Sequence, residues 1–430
     1  MRLVGVVMAG IEKWPPYRAG VAILLIAAAV RVALLFATGR YRELEASEII
    51  NVARSLAESG IFGDPYALPT GPTAHANPAY PFLLSLLLRW TGPGGPGILA
   101  IHLTGAFLSS LGYALLPWTG RQLGLGVTAG VLAGCAGAVL PFRLWVETGG
   151  TIEVTLAGCV LMLIAALCVR YLSGGWQSIG FAAAFGFACG AATLVYAGFL
   201  PCGIAVLALT AALRRRARAF AAAAVAAGCV FAVIAPWMFR NYQALGSPVL
   251  RSNLGLELAV SNRDGVGPDS ELNMKLPGFV HPHSLRSEAE LVRTLGEVEY
   301  NRRRSDEARD WIRGNPVRFG SLTARRALYF WFNPTGSLFK TLFFCGLTAA
   351  GIAGWILAGR RRLPAAAIVA VIWMTLPLPH YVVHVSLRHR YPMDWTFYLG
   401  AAYLATAVIG RITGTRGCGA RMEEPVSLRG

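Results

Sequence analysis

Five acidic or imidazole side chains fall in one polar stretch, residues 40–81, caught between long apolar runs: Glu43, Glu45, Glu48, Asp64 and His75. Such a group suits proton transfer. Partial burial raises a carboxyl until the carboxylate can take a proton from a hydroxyl nucleophile. Glu45 is the first candidate for that base. It reads equally as a solvated acid on the polar face of a surface helix. Asp64 and His75 are loop residues, each as readily structural as substrate-binding. The stretch closes with Asn77-Pro78-Ala79-Tyr80-Pro81.

Two basic groups lie far along the chain. Arg240-Asn241-Tyr242 stands where an apolar run ends. An Arg there either anchors the helix end at lipid headgroups or binds a phosphate through its planar fork. Arg388-His389-Arg390-Tyr391-Pro392 precedes the last apolar run. Positive charge at that point runs against the usual inside bias, and a phosphate is the natural reason for it. His380 and His384 are four residues apart and can share a helix face. No acidic partner close in sequence makes a metal pair of them. Glu153 falls about one turn into a span, where a carboxylate is costly unless paired. It pairs with an Arg such as Arg143 or holds a substrate hydroxyl. Glu147 lies in the short loop before it.

The elements that must position these groups are membrane helices. The chain has 430 residues, 55% hydrophobic and 14% charged, with a mean hydropathy of +0.52. That excludes a soluble protein. The net charge of +17 fits cytoplasmic loops beside anionic lipid better than nucleic acid. Ten spans are expected, at 20–38, 97–118, 124–142, 151–170, 178–196, 199–212, 219–239, 338–359, 364–381 and 394–410. Arg31 lies inside the first, so it must snorkel or face a polar cavity. Lys13, Arg18, Arg121, Arg170, Arg214–Arg216, Arg360–Arg362 and Arg411 share one side if residues 40–96 stay on the other. Both termini are then cytoplasmic, and 40–96 and 240–337 face outward. Residues 43–59 are expected as an amphipathic helix and 79–90 as a short surface helix. In the long loop, 240–280 reads as irregular, 286–313 as helical and 317–332 as an interface helix. The chain divides into an N-terminal module (1–239), the long loop (240–337), C-terminal spans (338–410) and a basic tail (411–430). Seven of the eight Cys lie in apolar runs, so no disulfides are expected.

Taken together, these pieces resemble the GT-C class of membrane glycosyltransferases. The likeness is to bacterial family-39-like proteins, relatives of protein O-mannosyltransferases and of the lipid A aminoarabinose transferases. It covers most of residues 20–410. Glu45 precedes Ala53-Arg54-Ser55-Leu56, like the family's first-loop acid ahead of Ala-Arg-x-Leu. Thr73-Ala74 through Pro78-Ala79-Tyr80-Pro81 matches Thr-Ala…Pro-x-Tyr-Pro. Pro236-Trp237-Met238-Phe239-Arg240-Asn241-Tyr242 matches Pro-Trp-x-x-Arg-Asn-Tyr, and 388–392 is similar to Arg-Tyr-Arg-x-Pro. Four departures bear on donor and acceptor identity. The first acid is Glu rather than Asp, and Ile49 stands where a Tyr follows. Leu200-Pro201 replaces Arg-Pro, and His389 replaces a Tyr.

The resemblance implies an all-α polytopic GT-C fold of about 10–12 transmembrane helices, with outward-facing loops that carry interface helices. It implies a monomer in the bacterial inner membrane with an outward active site. The implied reaction is inverting transfer from a polyprenyl-phosphate sugar to a hydroxyl on a glycan, lipid or protein acceptor. Glu45 would be the base, and Arg240, Arg388 and Arg390 would hold the donor phosphate. Asp64, His75, Tyr80, Glu153, Asn241, Tyr242 and His389 would line the substrate. No cofactor is required, although a divalent cation is compatible with the family. The alternatives are an undecaprenyl-linked glycan ligase or polymerase, a polyisoprenoid or lipid transporter, and a non-catalytic assembly subunit. A transporter should show inverted repeats or polar groups through several mid-membrane segments, and neither is visible.

Overall fold

Apolar runs of 13–29 residues become a bundle of helices, because a chain in lipid must satisfy its own backbone hydrogen bonds. The computed structural model describes residues 2–44, 47–140, 144–148, 153–332 and 337–413. Glu45, the expected base, lies outside the described residues. Six described helices are long and apolar enough to cross a membrane: Pro16–Ala37, Gly95–Gln122, Glu153–Ser173, Ala217–Leu245, Leu338–Arg360 and Pro364–Val382. Val127–Val139, Ile179–Val195 and Phe199–Arg214 are shorter and apolar. Leu387–Thr413 completes the set, its first turns carrying Arg388, Arg390 and Asp394. Each of the ten expected spans thus meets a helix. The described residues contain no β-strand, only two isolated bridges. The seven described cysteines are unpaired.

Close packing rests on small residues, since lipid offers no hydrophobic drive between helices. Leu338–Arg360 and Leu387–Thr413 meet backbone to backbone. A Cβ on Gly354 would stand 1.9 Å from the Gly400 carbonyl oxygen. Elsewhere in the bundle, Glu12 caps a helix from a distance. Its carboxylate accepts from the Val127 and Thr128 N–H groups at 3.1 and 2.9 Å, which a helix N-terminus leaves unpaired.

Arg31 neither snorkels nor meets water; it is fully buried. Its guanidinium donates to the carbonyls of Ala138 and Gly137 at 3.0 Å each and pairs with Glu147 at 2.9 Å. The Glu147 carboxylate also accepts from the Tyr113 and Tyr391 hydroxyls at 2.6 and 3.2 Å. One ion pair therefore joins the first span, the second span, the 144–148 helix and the last span. Removing one partner leaves an uncompensated buried charge. Glu147→Ala is expected to destabilise the protein by about 3–5 kcal/mol. Thermal unfolding in detergent checks this, and an unchanged Tm would refute it.

The face that carries residues 240–337 is layered with short helices. Glu48–Glu58 starts at Ser47, whose hydroxyl accepts from the Ile50 N–H at 3.4 Å. This cap starts the helix later than the expected 43. The apolar side of Glu48–Glu58 packs on Ala79–Thr91 through Ile50, Ala53, Tyr80, Leu84 and Leu88. Ala79–Thr91 has 13 residues, about 20 Å of helix, too short to cross a bilayer core. The long loop is more helical than its composition suggests. It holds Leu254–Ser261, Ser270–Asn273, Arg286–Leu295, Glu297–Gly314 and Pro316–Phe332. Gly296, at φ +80°, breaks the expected 286–313 helix in two.

Candidate active site

The 60–78 loop is pinned on three sides. Asp64 folds it locally, accepting from the Thr70 and Gly71 N–H groups at 2.9 and 2.8 Å and from Ser55 Oγ at 3.1 Å. Arg240 clamps it from the Ala217–Leu245 helix, donating to the Thr73 and Phe62 carbonyls at 2.7 Å each. The guanidinium also lies over the Phe62 and Trp237 rings. Glu297 holds it from the outer layer, accepting from Thr73 Oγ1 and the Ala74 N–H. Burial raises the Glu297 carboxyl above the usual range, against these donors.

So fixed, the loop presents His75 to Glu48. Tyr66 Oη and His75 Nδ1 are 3.1 Å apart. Burial holds the imidazole neutral, down to about 3, although Glu48 pulls the other way. His281 Nε2 and His283 Nδ1 stand 3.9 and 4.0 Å from the same Glu48 oxygen. Burial works against the Glu48 charge, yet His75, His281 and His283 in their protonated forms pull its carboxyl down to about 2. Glu48 is therefore the first-loop acid that the described structure places in a polar cluster.

Beside it lies an electropositive group. Arg251 and Arg388 are both half-buried. Both are within electrostatic reach of Glu153, Tyr196, His380 and His389. Arg251 donates Nε–H to the His75 carbonyl at 3.0 Å. Among the described residues neither arginine has a carboxylate within ion-pair distance. Glu153 is also within reach of Glu48 and Tyr80. Two buried donors nearby lack partners among the described residues, the Tyr80 hydroxyl and Asn77 Nδ2. The Asn77 orientation is fixed, because its Oδ1 accepts from the Ala197 N–H at 3.2 Å. His389 stacks on His380 at 4.2 Å, and His380 stacks on Phe330. His389 Nδ1 accepts from the Ser386 N–H at 3.1 Å, so the neutral ring carries its proton on Nε2.

An apolar cleft of about 200 Å³ opens between Ile179–Val195, Phe199–Arg214 and Ala217–Leu245. Phe185, Cys189, Thr193, Leu200, Ile204 and Phe231 line it. Thr193 and Leu200 are one turn from Tyr196 in the chain.

The expected residues divide. Glu153, Arg388, His389, His75 and Tyr80 come together. Arg390 lies elsewhere, 1% exposed. It pairs with Asp394 at 2.8 Å, donates to Thr348 Oγ1 at 2.8 Å and covers the Phe397 ring. Asn241 accepts from Arg240 and donates to the Val249 carbonyl at 2.7 Å. Tyr242 is exposed. His384 faces Glu257 at 3.7 Å rather than pairing with His380. Arg251, Tyr196, His281 and His283 are not singled out by sequence, and Glu48 is one of the five acidic or imidazole groups of residues 40–81 of which Glu45 is the first candidate. The available signals were Arg251 alone in an uncharged stretch, and two of the seven histidines within three residues. Arg240→Ala is expected to cost about 2–4 kcal/mol, because it strands two loop carbonyls. Thermal unfolding reads this, with affinity for polyprenyl phosphate falling no more than the loop's stability requires.

No family profile matches the chain, and no curated protein matches it. Solved structures do. The Archaeoglobus fulgidus oligosaccharyltransferase in the apo form superimposes with a TM-score of 0.56 at 16% identity, over 91% of this chain and 51% of that one. The chain thus spans about half the length of that protein. Its complex with Zn and sulfate gives 0.49 at 14% identity, over 91% and 49%. ArnT from Cupriavidus metallidurans bound to undecaprenyl phosphate gives 0.37 at 15% identity, over 90% and 77%. The likeness is one of fold. The architecture is GT-C-like, an all-α polytopic membrane fold.

Proposed function

We propose that the chain is a glycosyltransferase that moves a sugar from a polyprenyl-phosphate donor to an acceptor hydroxyl, with inversion. The supporting observation is the Arg251–Arg388 pair. Among the described residues neither cation has a carboxylate within ion-pair distance, and both are within electrostatic reach of Glu153 and of Tyr196, which is about one turn along the chain from Thr193 and Leu200 of the apolar cleft. A phosphate on an isoprenoid chain matches both features, a cationic group and an apolar cleft.

In this reading the prenyl chain lies in the cleft and the phosphate meets Arg251 and Arg388. Tyr80 and Asn77 supply the neutral donors left open for it. The two guanidinium groups stabilise the departing phosphate as the anomeric C–O bond breaks. The acceptor hydroxyl attacks the opposite face of the anomeric carbon. Glu48 receives its proton. A carboxyl this acidic does not deprotonate a resting alcohol. It accepts the proton late, once the new C–O bond has made that oxygen acidic. Glu153 orients the sugar through a hydroxyl. Glu45 remains a candidate for the base by its place in the family pattern.

A divalent cation would find Glu48, His281 and His283 as its nearest donors. Among the described residues, however, no group of three or more His, Cys, Asp or Glu is arranged to hold one.

The reading is tested by native mass measurement of the purified protein with its retained lipids. A polyprenyl-phosphate sugar at one copy per chain is expected. Retention of bulk phospholipid alone, with no affinity for added polyprenyl phosphate, refutes the donor assignment.

A further inference from the structure

Arg326 takes no part in the site described above, yet it is among the largest fully buried side chains of the protein. It lies on Pro316–Phe332, the last helix of the outer layer. Its guanidinium meets two separate segments. At the C-terminal end of Leu254–Ser261, Nη2 donates to the Ser261 carbonyl and Nη1 to Asn262 Oδ1 at 3.0 Å. Nη1 also donates to the Val382 carbonyl at 3.0 Å. Asn262 closes the joint, its Nδ2 donating to the same Val382 carbonyl at 2.9 Å.

Each segment leads to one of the two arginines assigned to the phosphate. Arg251 lies three residues before the Leu254–Ser261 helix. Its Nε–H is held by the His75 carbonyl. The Ser252 N–H donates to the Ala74 carbonyl at 3.1 Å and the Leu256 N–H to Asn301 Oδ1 at 3.0 Å. The 8-residue helix carries that placement about 12 Å to Ser261 and Asn262. On the other side, Arg388 lies six residues beyond Val382. Between them the His384 N–H donates to Ser261 Oγ at 2.9 Å. The Val385 N–H donates to the Pro268 carbonyl at 2.8 Å, and the Val385 carbonyl accepts from the Ser270 N–H at 2.9 Å. The Ser386 N–H donates to His389 Nδ1, at the start of the last helix. Hydrogen bonds thus link the Arg251 segment to the Arg388 segment, and Arg326 stands where the two meet. Three acceptors converge on it. A guanidinium reaches them because its N–H groups fan out in a fixed fork, whereas an ammonium offers its donors from one point.

We propose that Arg326 is a positioning residue that joins the Arg251 segment to the Arg388 segment and so sets the spacing of the two cations for one phosphate. The proposal rests on the polyprenyl-phosphate reading for its binding readout. A phosphate gripped by two guanidinium groups needs them at a matched spacing, whereas a phosphate held by one does not.

Affinity of the full chain in nanodiscs for undecaprenyl phosphate tests this, measured for Arg326→Ala, Arg388→Ala and the double variant. Arg326→Ala should weaken binding roughly 10-fold, the share of one charge-assisted bond. In the Arg388→Ala background the same substitution should cost less than about twofold, because a single cation has no partner to be spaced from. Affinity for undecaprenol, which lacks the phosphate, should hold within about twofold in every variant. Equal losses in both backgrounds, or an equal loss for undecaprenol, mean general loosening and overturn the proposal, as does unchanged affinity in Arg326→Ala. Should Arg326→Ala not fold, Arg326→Lys takes its place in the cycle. It keeps the charge, drops the fork and should show the same pattern with a loss of about threefold. Amide hydrogen exchange gives a readout free of ligand. In either variant, exchange of the Asn262, His384 and Val385 N–H groups should rise together by roughly 10-fold or more while Leu338–Arg360 is unchanged. Unchanged exchange at those three overturns the joint. If the wild-type protein binds no undecaprenyl phosphate, the donor reading fails, and the exchange result still decides the joint.

Discussion

If the chain transfers sugar from polyprenyl phosphate as proposed, Glu48→Gln is expected to lower that transfer by about 10²- to 10⁴-fold, the usual contribution of a positioned base, and to leave polyprenyl-phosphate binding intact. The amide keeps the shape of the side chain at the first turn of Glu48–Glu58 but cannot take the acceptor's proton. Glu45→Gln and Glu153→Gln assayed in parallel separate the three carboxylates. The base is the residue whose replacement removes kcat while sparing donor affinity. Glu153→Gln should change donor KM as well as kcat, because it is placed to hold a sugar hydroxyl. Near-full turnover in Glu48→Gln with loss in Glu45→Gln would return the base to Glu45. Single-turnover kinetics with saturating donor reads the chemical step directly.

Arg251→Ala and Arg388→Ala are each expected to weaken donor binding roughly 10- to 100-fold, the loss of about 1.5–3 kcal/mol for a charge-assisted bond. The two arginines share one neighbourhood of Glu153, Tyr196, His380 and His389. Their effects should therefore not be additive, since a phosphate that has lost one cation shifts toward the other. Binding of undecaprenyl phosphate without a sugar isolates the phosphate contribution. Unchanged affinity in both variants would remove the observation on which the function rests. Arg390→Ala serves as the contrast. Its guanidinium is spent on Asp394 and Thr348, so it should lower Tm more than it lowers donor affinity.

The bundle itself was written in the sequence. Apolar runs of membrane length, Arg clusters between them and the polar interruption at 40–81 are one-dimensional signals, because lipid tolerates little besides helices. Short motifs also named Glu153, Arg388 and Tyr80, with Glu153 within electrostatic reach of the other two. Motif position does not separate arginines that have equal local claims. Arg240, Arg388 and Arg390 all stand at helix ends in sequence, yet only Arg388 borders Glu153. Arg240 and Arg390 are consumed by carbonyls, rings and a carboxylate from elsewhere in the chain. The reverse holds for Arg251, His281 and His283. They sit in stretches that look irregular, and they meet Glu153 and Glu48 only because Arg240 and Glu297 hold the 60–78 loop against the outer layer. Arg31 makes the same point inside the membrane. Its cost was legible in the sequence, but its partner Glu147 was not, since 115 intervening residues must fold before the two charges meet. Sequence determined which segments cross and which groups could react. Tertiary contacts decided which charges are neutralised by distant neighbours and which, among the described residues, have no carboxylate within ion-pair distance.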